Sequence, residues 1–193
     1  KIGTKLAIFF ENLSEKSYFY TRQHIESMKI LTKNQIKALD KRTIHEEGIS
    51  SLDLMERAAQ ALTNAICQLF PEPRNFKLFA GPGNNGGDTL AVARLLSERG
   101  YRSDVYLFNT RQSLSEDCQT NAERLLDCTD VNFIEVTSHF APPPLMKSDV
   151  VIDGLFGSGL SRPLEGGFAA VVKYINASPA TIVSIDIPSG LMC

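Results

Sequence analysis

Three stretches of this 193-residue chain gather residue types that can do chemistry. They are Gly81-Pro82-Gly83-Asn84-Asn85-Gly86-Gly87-Asp88, then Asp153-Gly154-Leu155-Phe156-Gly157-Ser158-Gly159-Leu160-Ser161-Arg162, then Asp186-Ile187-Pro188-Ser189-Gly190. Each follows a short apolar run and combines a carboxylate with glycine and with serine or asparagine. Glycines let a turn adopt positive φ and let a ligand approach the main chain. A glycine-rich turn between a strand and a helix also offers backbone N–H groups to phosphate oxygens. Asn85, Asp153 and Ser189 would supply an amide oxygen, a carboxylate and a hydroxyl or carbonyl if their strands are neighbours. An oxygen-only set of that kind suits a hard cation and lacks the His and Cys that zinc prefers.

Other chemistries fit poorly. The first stretch fails the spacing of the dinucleotide G-x-G-x-x-G, and no Gly-Lys-Ser/Thr follows to make a Walker loop. Gly157-Ser158-Gly159 is one residue short of the G-x-S-x-G elbow and lacks a suitably placed histidine. His24, His45 and His139 are scattered and read as surface residues. Cys67, Cys118, Cys128 and Cys193 show no C-x-x-C spacing and read as reduced thiols of a cytoplasmic protein. A net charge of −2 gives no general attraction to nucleic acid or anionic membrane. No apolar run reaches the ~20 residues of a membrane helix. Leu6-Ala7-Ile8-Phe9-Phe10 is too short for a signal-peptide core.

The elements that must position these stretches are legible in order. Residues 1–27 mix aromatics and charges without a period and read as an extension, leader or arm, ahead of a domain over 28–193. Thr32 with Gln35 forms a capping box for a helix over about 33–47, which Gly48 stops. Ser50 or Ser51 caps a second helix, whose stripe of Met55, Ala58, Ala59, Leu62, Ile66 and Leu69 ends before Pro71. Strands are then expected at 76–80, 103–108, 131–136, 149–153 and 181–186. Helices are expected at 89–99, 115–128 and 167–175, with Ala122, Leu125 and Leu126 facing inward. Glu56 and Arg57 read as surface charges. Alternating strands and helices with Val/Ile-rich runs give an α/β fold with a parallel sheet covered on both faces. Ligands bind such sheets beyond the carboxyl ends of the strands.

Taken together with Leu54-Met55-Glu56-Arg57-Ala58-Ala59, the three stretches resemble the YjeF N-terminal domain family, the NAD(P)HX epimerases. The resemblance runs from Met28 to the end. It implies a Rossmann-like three-layer α/β/α sandwich with a mainly parallel sheet, preceded by N-terminal helices and incomplete at its C-terminus. It implies interconversion of the R and S forms of hydrated NADH and NADPH, a cofactor-repair step that supplies the S form to a dehydratase, either a partner or a fused domain. It further implies a cytoplasmic homodimer with one potassium ion per subunit. The family's substrate-binding loop falls on Asn84, Asn85, Gly86, Gly87 and Asp88. A second falls on Gly157, Ser158, Gly159, Leu160, Ser161, Arg162 and Pro163, with a further contact at Asp186. The potassium ligands fall on Asn85, Asp153 and Ser189. Thr89 stands where the family often has glycine. Asp186 is the first choice for the proton-transferring residue, with Asp88 the second. The alternative reading is a non-catalytic dimeric module of the same domain type, used for binding or scaffolding.

Overall fold

The computed structural model describes residues 9–11, 32–72 and 74–192. The rest of the extension read over 1–27 lies outside the described residues. Helix α1 (Lys33–Glu47) starts at the expected capping box: the Thr32 side chain accepts from the Gln35 N–H while Gln35 reaches back to the Thr32 N–H. Gly48, at φ 65°, closes it in the left-handed conformation that glycine tolerates best. Helix α2 (Ser51–Leu69) is capped the same way by Ser50 with Asp53. It buries Met55, Ala59, Leu62, Thr63 and Ile66 along one stripe.

The strands are β1 (Phe9–Glu11), β2 (Phe76–Ala80), β3 (Ser103–Phe108), β4 (Val131–Val136), β5 (Val150–Gly154) and β6 (Thr181–Ser184). The helices between them are α3 (Asn84–Ser97), α4 (Glu116–Leu125) and α5 (Gly166–Asn176). The sheet order is β1-β6-β5-β2-β3-β4, with β2 to β6 parallel and β1 antiparallel on the β6 edge. β1 therefore adds a strand within residues that the sequence suggests are an extension.

The sheet is buried on both sides, which explains the continuous apolar run Val150-Val151-Ile152 of β5. One face carries Leu78, Ala80, Val105, Leu107, Ile152 and Val183, packed with residues of α2, α3 and α4. The other carries Phe79, Tyr106, Phe108, Val151 and Ile182, packed with Val171 and Ile175 of α5 and with Phe140 and Leu145 of the proline-containing loop. The chain leaves β2 toward β3 and β4 on one side, then returns to place β5 and β6 on the other. That reversal opens a crevice at the carboxyl ends of β2 and β5, where doubly wound sheets bind ligands.

Three expectations need correcting. Helix α3 begins at Asn84, five residues before the expected Thr89, so the asparagines and two of the glycines form its first turn. Leu126 is exposed at 68%, because it keeps helical dihedrals and one further residue of helical rotation turns it away from the face that buries Leu125. Strand β6 ends at Ser184, which leaves Asp186 in the following turn. Glu56 has a larger role than that of a lone surface charge. Both of its oxygens bind Arg94 of α3 at 2.5 and 2.6 Å, tying α2 to α3.

Candidate active site

The first turn of α3 is pressed onto the ends of β2 and β5 by glycines that need room rather than positive φ. The glycines with positive φ among the described residues are Gly48, Gly100, Gly166 and Gly190, all outside the 81–87 run. A Cβ on Gly81 would lie 1.8 Å from the Leu155 carbonyl oxygen, and one on Gly86 would lie 1.8 Å from the Gly81 oxygen. The Gly81 N–H donates to the Gly154 carbonyl at 3.1 Å, which continues the β2–β5 pairing into the turn. Gly83 caps α3 without a side-chain hydrogen bond. The leading N–H groups of this helix, at the positive end of its dipole, thus lack the usual Ser or Asp partner.

Asp153 is the penultimate residue of β5 and is buried. Its Oδ1 accepts from the Ser189 hydroxyl at 2.6 Å and the Leu155 N–H at 3.3 Å. Its Oδ2 accepts from the Ser189 N–H at 2.8 Å and the Ser184 hydroxyl at 3.3 Å. Burial pushes the Asp153 carboxyl above the ordinary carboxylate range, against the downward pull of those donors. The Ser189 hydroxyl also accepts from the Phe156 N–H at 2.9 Å and lies 3.0 Å from the Phe156 carbonyl. The loops after β5 and β6 are therefore stitched together through one serine.

Asp186 and Asn85 meet the second loop at Gly157. A Cβ there would lie 2.4 Å from Asp186 Oδ2 and 3.1 Å from Asn85 Oδ1, so only glycine fits between them. The Ser158 N–H donates to Asp186 Oδ2 at 2.6 Å. Asn85 Nδ2 is buried without a hydrogen-bond partner among the described residues. A buried amide left unpaired costs about 1–3 kcal/mol, which a ligand would recover.

Asp88 sits one turn along α3. Burial, followed by the charges of Asp186, Asp117 and Asp40, pushes its carboxyl up to about 8. The Cys118 thiol behind it is pushed up to about 12, by burial and then by the Asp88 charge, so it stays a neutral wall. Two carboxyl groups thus share the crevice, and that of Asp88 is held well above the ordinary carboxylate range. Such pairs supply both a proton donor and a proton acceptor.

The structure brings Asn85, Asp153, Asp186 and Ser189 onto one edge of the neighbouring strands β2, β5 and β6. Asp153 and Ser189 touch directly, while the Asn85 side chain faces Gly157 and Asp186. Asn84 is exposed at the start of α3, and Gly86 and Gly87 are buried beneath it. Ser161, Arg162 and Pro163 are exposed on the second loop, beyond a tight turn in which Leu160 N–H donates to the Gly157 carbonyl at 3.1 Å. Asn85, Asp153 and Ser189 each carry an oxygen of the kind that hard cations take. Among the described residues, no group of three or more His, Cys, Asp or Glu is placed to hold a metal ion.

Sequence reasoning missed Ser184, Asp40 and Asp117. Ser184 was legible as a polar residue inside an apolar strand. Asp40 and Asp117 looked like ordinary helix-surface and helix-start acids, with no local signal tying them to Asp88.

The family model for the YjeF-related protein N-terminus matches residues 51–192. This chain belongs to that family. It is 40% identical over 161 residues to the NAD(P)H-hydrate epimerase of Limosilactobacillus fermentum, covering 83% of this chain and 74% of the relative. It is 34% identical to the NAD(P)H-hydrate epimerase of Rhodobacter capsulatus, covering 84% and 77%. It is 37% identical to the bifunctional NAD(P)H-hydrate repair enzyme Nnr of Thermofilum pendens, covering 85% of this chain but 32% of that longer protein. The crystal structure of yeast ynu0 superposes with a TM-score of 0.69 at 25% identity, covering 84% of this chain and 72% of the other.

Proposed function

We propose that this protein is an isomerase that interconverts the R and S forms of hydrated NADH and NADPH. The observation that carries the reading is the meeting of Asn85, Gly157 and Asp186 at the ends of neighbouring strands, in a chain whose relatives bear the name NAD(P)H-hydrate epimerase. Inversion at the hydrated ring carbon requires its hydroxyl to leave and return, or the ring to open and close. Each route needs one group that gives a proton and one that takes it. Asp186 takes the proton-transfer role, and protonated Asp88 is the neighbouring reserve of acid. The uncapped start of α3 and the backbone of Asn84, Gly86 and Gly87 face the phosphates, where the helix dipole favours negative charge. The loop of Gly157, Ser158, Gly159, Leu160, Ser161, Arg162 and Pro163 closes over the substrate, with Arg162 available to an anionic group.

Asn85, Asp153 and Ser189 would hold a potassium ion. The ion would offset negative charge and order the three loops. The S form passes to a dehydratase, whether a separate partner or a second domain as in the bifunctional relative. The working unit is a cytoplasmic homodimer. Among the described residues, no helix is long and apolar enough to cross a membrane.

The test is direct. Purified R-form NADHX is incubated with the protein in potassium and in choline buffers, and the two forms are separated over time. Enzyme-dependent equilibration that is faster in potassium is the expected result. No interconversion by folded protein in either buffer would overturn the proposal and favour a non-catalytic binding module.

A further inference from the structure

The side chain of Thr89 is fully buried, although it lies only one residue beyond the loop that would bind substrate. Its hydroxyl donates to the Asn85 carbonyl at 2.7 Å, one helical turn back. The same oxygen lies 1.6 Å from where a Cβ on Gly154 would stand, and the Thr89 Cβ and methyl lie 2.8 and 3.1 Å from it. Thr89 therefore fills the space that Gly154 leaves open. Gly154 in turn ends β5, directly after Asp153.

This contact packs α3 directly against the end of β5. Gly83 gives the first turn of α3 no side-chain cap. The Asn85 amide has an unpaired buried nitrogen, so its side chain is not fixed by its own hydrogen bonds. A threonine that bonds back to the i−4 carbonyl is usually neutral to slightly unfavourable inside a helix. Here it fixes the carbonyl of the residue whose side chain faces Gly157 and Asp186.

We propose that Thr89 is a positioning residue, which pins the first turn of α3 against Gly154 and so sets the Asn85 amide relative to Asp153 and Asp186. It acts through Asn85 and does not itself touch the reacting atoms. The inference rests on the proposed role of Asn85 at the substrate and cation site. The latch itself is a matter of geometry and can be read out without activity.

The experiment compares wild type, Thr89→Ser and Thr89→Ala in the full chain. Thr89→Ser keeps the hydroxyl, and Thr89→Ala removes the hydrogen bond and the filling of Gly154. Amide hydrogen exchange at Gly87 and Asp88 should speed up about five-fold in Thr89→Ala and stay near wild type in Thr89→Ser, since loss of one net hydrogen bond releases the local turn. In the epimerisation assay, Thr89→Ala should raise KM and the potassium concentration for half-maximal rate several-fold, with a smaller change in kcat. Unchanged exchange at Gly87 and Asp88 in a folded Thr89→Ala protein would overturn the latch. Faster exchange with unaltered KM and potassium dependence would overturn the positioning role. If Thr89→Ala does not fold, Thr89→Val tests the same point: it must show the faster exchange, and wild-type exchange in it refutes the proposal. Should wild type show no epimerase activity, the exchange data still decide the latch, so its failure is distinct from failure of the functional reading.

Discussion

Asp88 supplies the prediction whose size follows most directly from the structure. Its carboxyl is pushed from 3.8 up to about 8, so the folded chain binds a proton there that the unfolded chain releases near pH 4. Between those values the folded state holds more protons, and its stability must fall as pH rises. The loss starts near pH 4 and is complete near pH 8. Each unit corresponds to about 1.4 kcal/mol, so the shift sets a ceiling of ~6 kcal/mol, of which ~4 kcal/mol falls between pH 5 and pH 8. Relaxation and water entry reduce such penalties, so about 2 kcal/mol over that interval is the expected value. Replacing Asp88 with Asn removes the titration and keeps the shape. Urea unfolding of wild type and Asp88→Asn, without nucleotide, should give a stability difference that moves in favour of the variant by about 2 kcal/mol from pH 5 to pH 8. The Asp186 charge is the next cause after burial, so adding Asp186→Asn should shrink that movement. A difference constant within ~0.5 kcal/mol across the interval would show that Asp88 ionises normally and would remove it as a reserve of acid.

Three other perturbations test separate parts of the site. Asp186→Asn should leave the near-ultraviolet circular dichroism unchanged and slow epimerisation by ~100-fold or more, the usual scale of acid–base help; a wild-type rate would refute its role. Ser189→Ala removes the donor to Asp153 and the acceptor for the Phe156 N–H, two buried hydrogen bonds, and should cost about 3 kcal/mol in urea unfolding. Gly86→Ala drives a methyl to within 1.8 Å of the Gly81 carbonyl and should cost about 3 kcal/mol or more, whereas Gly83→Ala, which meets open space, should stay within about 1 kcal/mol. Equal costs at the two glycines would refute the close-approach account of the first stretch.

Local signals carried much of the architecture. The capping pair Thr32–Gln35, the cap at Ser50 and the stop at Gly48 follow from short-range hydrogen bonding, and the structure repeats them. The central strands were visible because a sheet buried on both faces favours runs of Val, Ile, Leu and Phe, as in Val150-Val151-Ile152 of β5. The start of α3 was not visible. Asn and Gly are poor helix formers, so propensity placed the start at Thr89, while close backbone contact with Gly81 and Leu155 favours a helix from Asn84. The same contacts explain why the glycines were assigned the wrong reason: their value is the missing Cβ, and the φ angles there are ordinary. Strand β1 was hidden because three residues carry too little pattern to separate them from their surroundings. The upward shift of Asp88 comes first from burial and then from Asp186, Asp117 and Asp40, which lie on different elements, and no single stretch of sequence reveals that company.

Asp153 and Asp186 show how one local pattern takes two roles. Both stand at or just past the end of a parallel strand, and both are followed within five residues by serine and glycine. Asp153 is the last side chain before Gly154, still inside the sheet, where four donors from Leu155, Ser184 and Ser189 surround its two oxygens. Such a carboxylate holds loops together and is ill placed to exchange protons with a substrate. Asp186 lies two residues beyond the end of β6 and is only half-buried. One of its oxygens takes the Ser158 N–H, and its other, Oδ1, has no donor among the described hydrogen bonds. An anchored carboxylate with a free oxygen at the crevice is oriented yet reactive, which general acid–base catalysis requires. The extra two residues of chain after β6 therefore separate the fully hydrogen-bonded Asp153 from the aspartate proposed for proton transfer. The division would reverse if Asp153→Asn slowed epimerisation without loss of stability while Asp186→Asn left the rate unchanged.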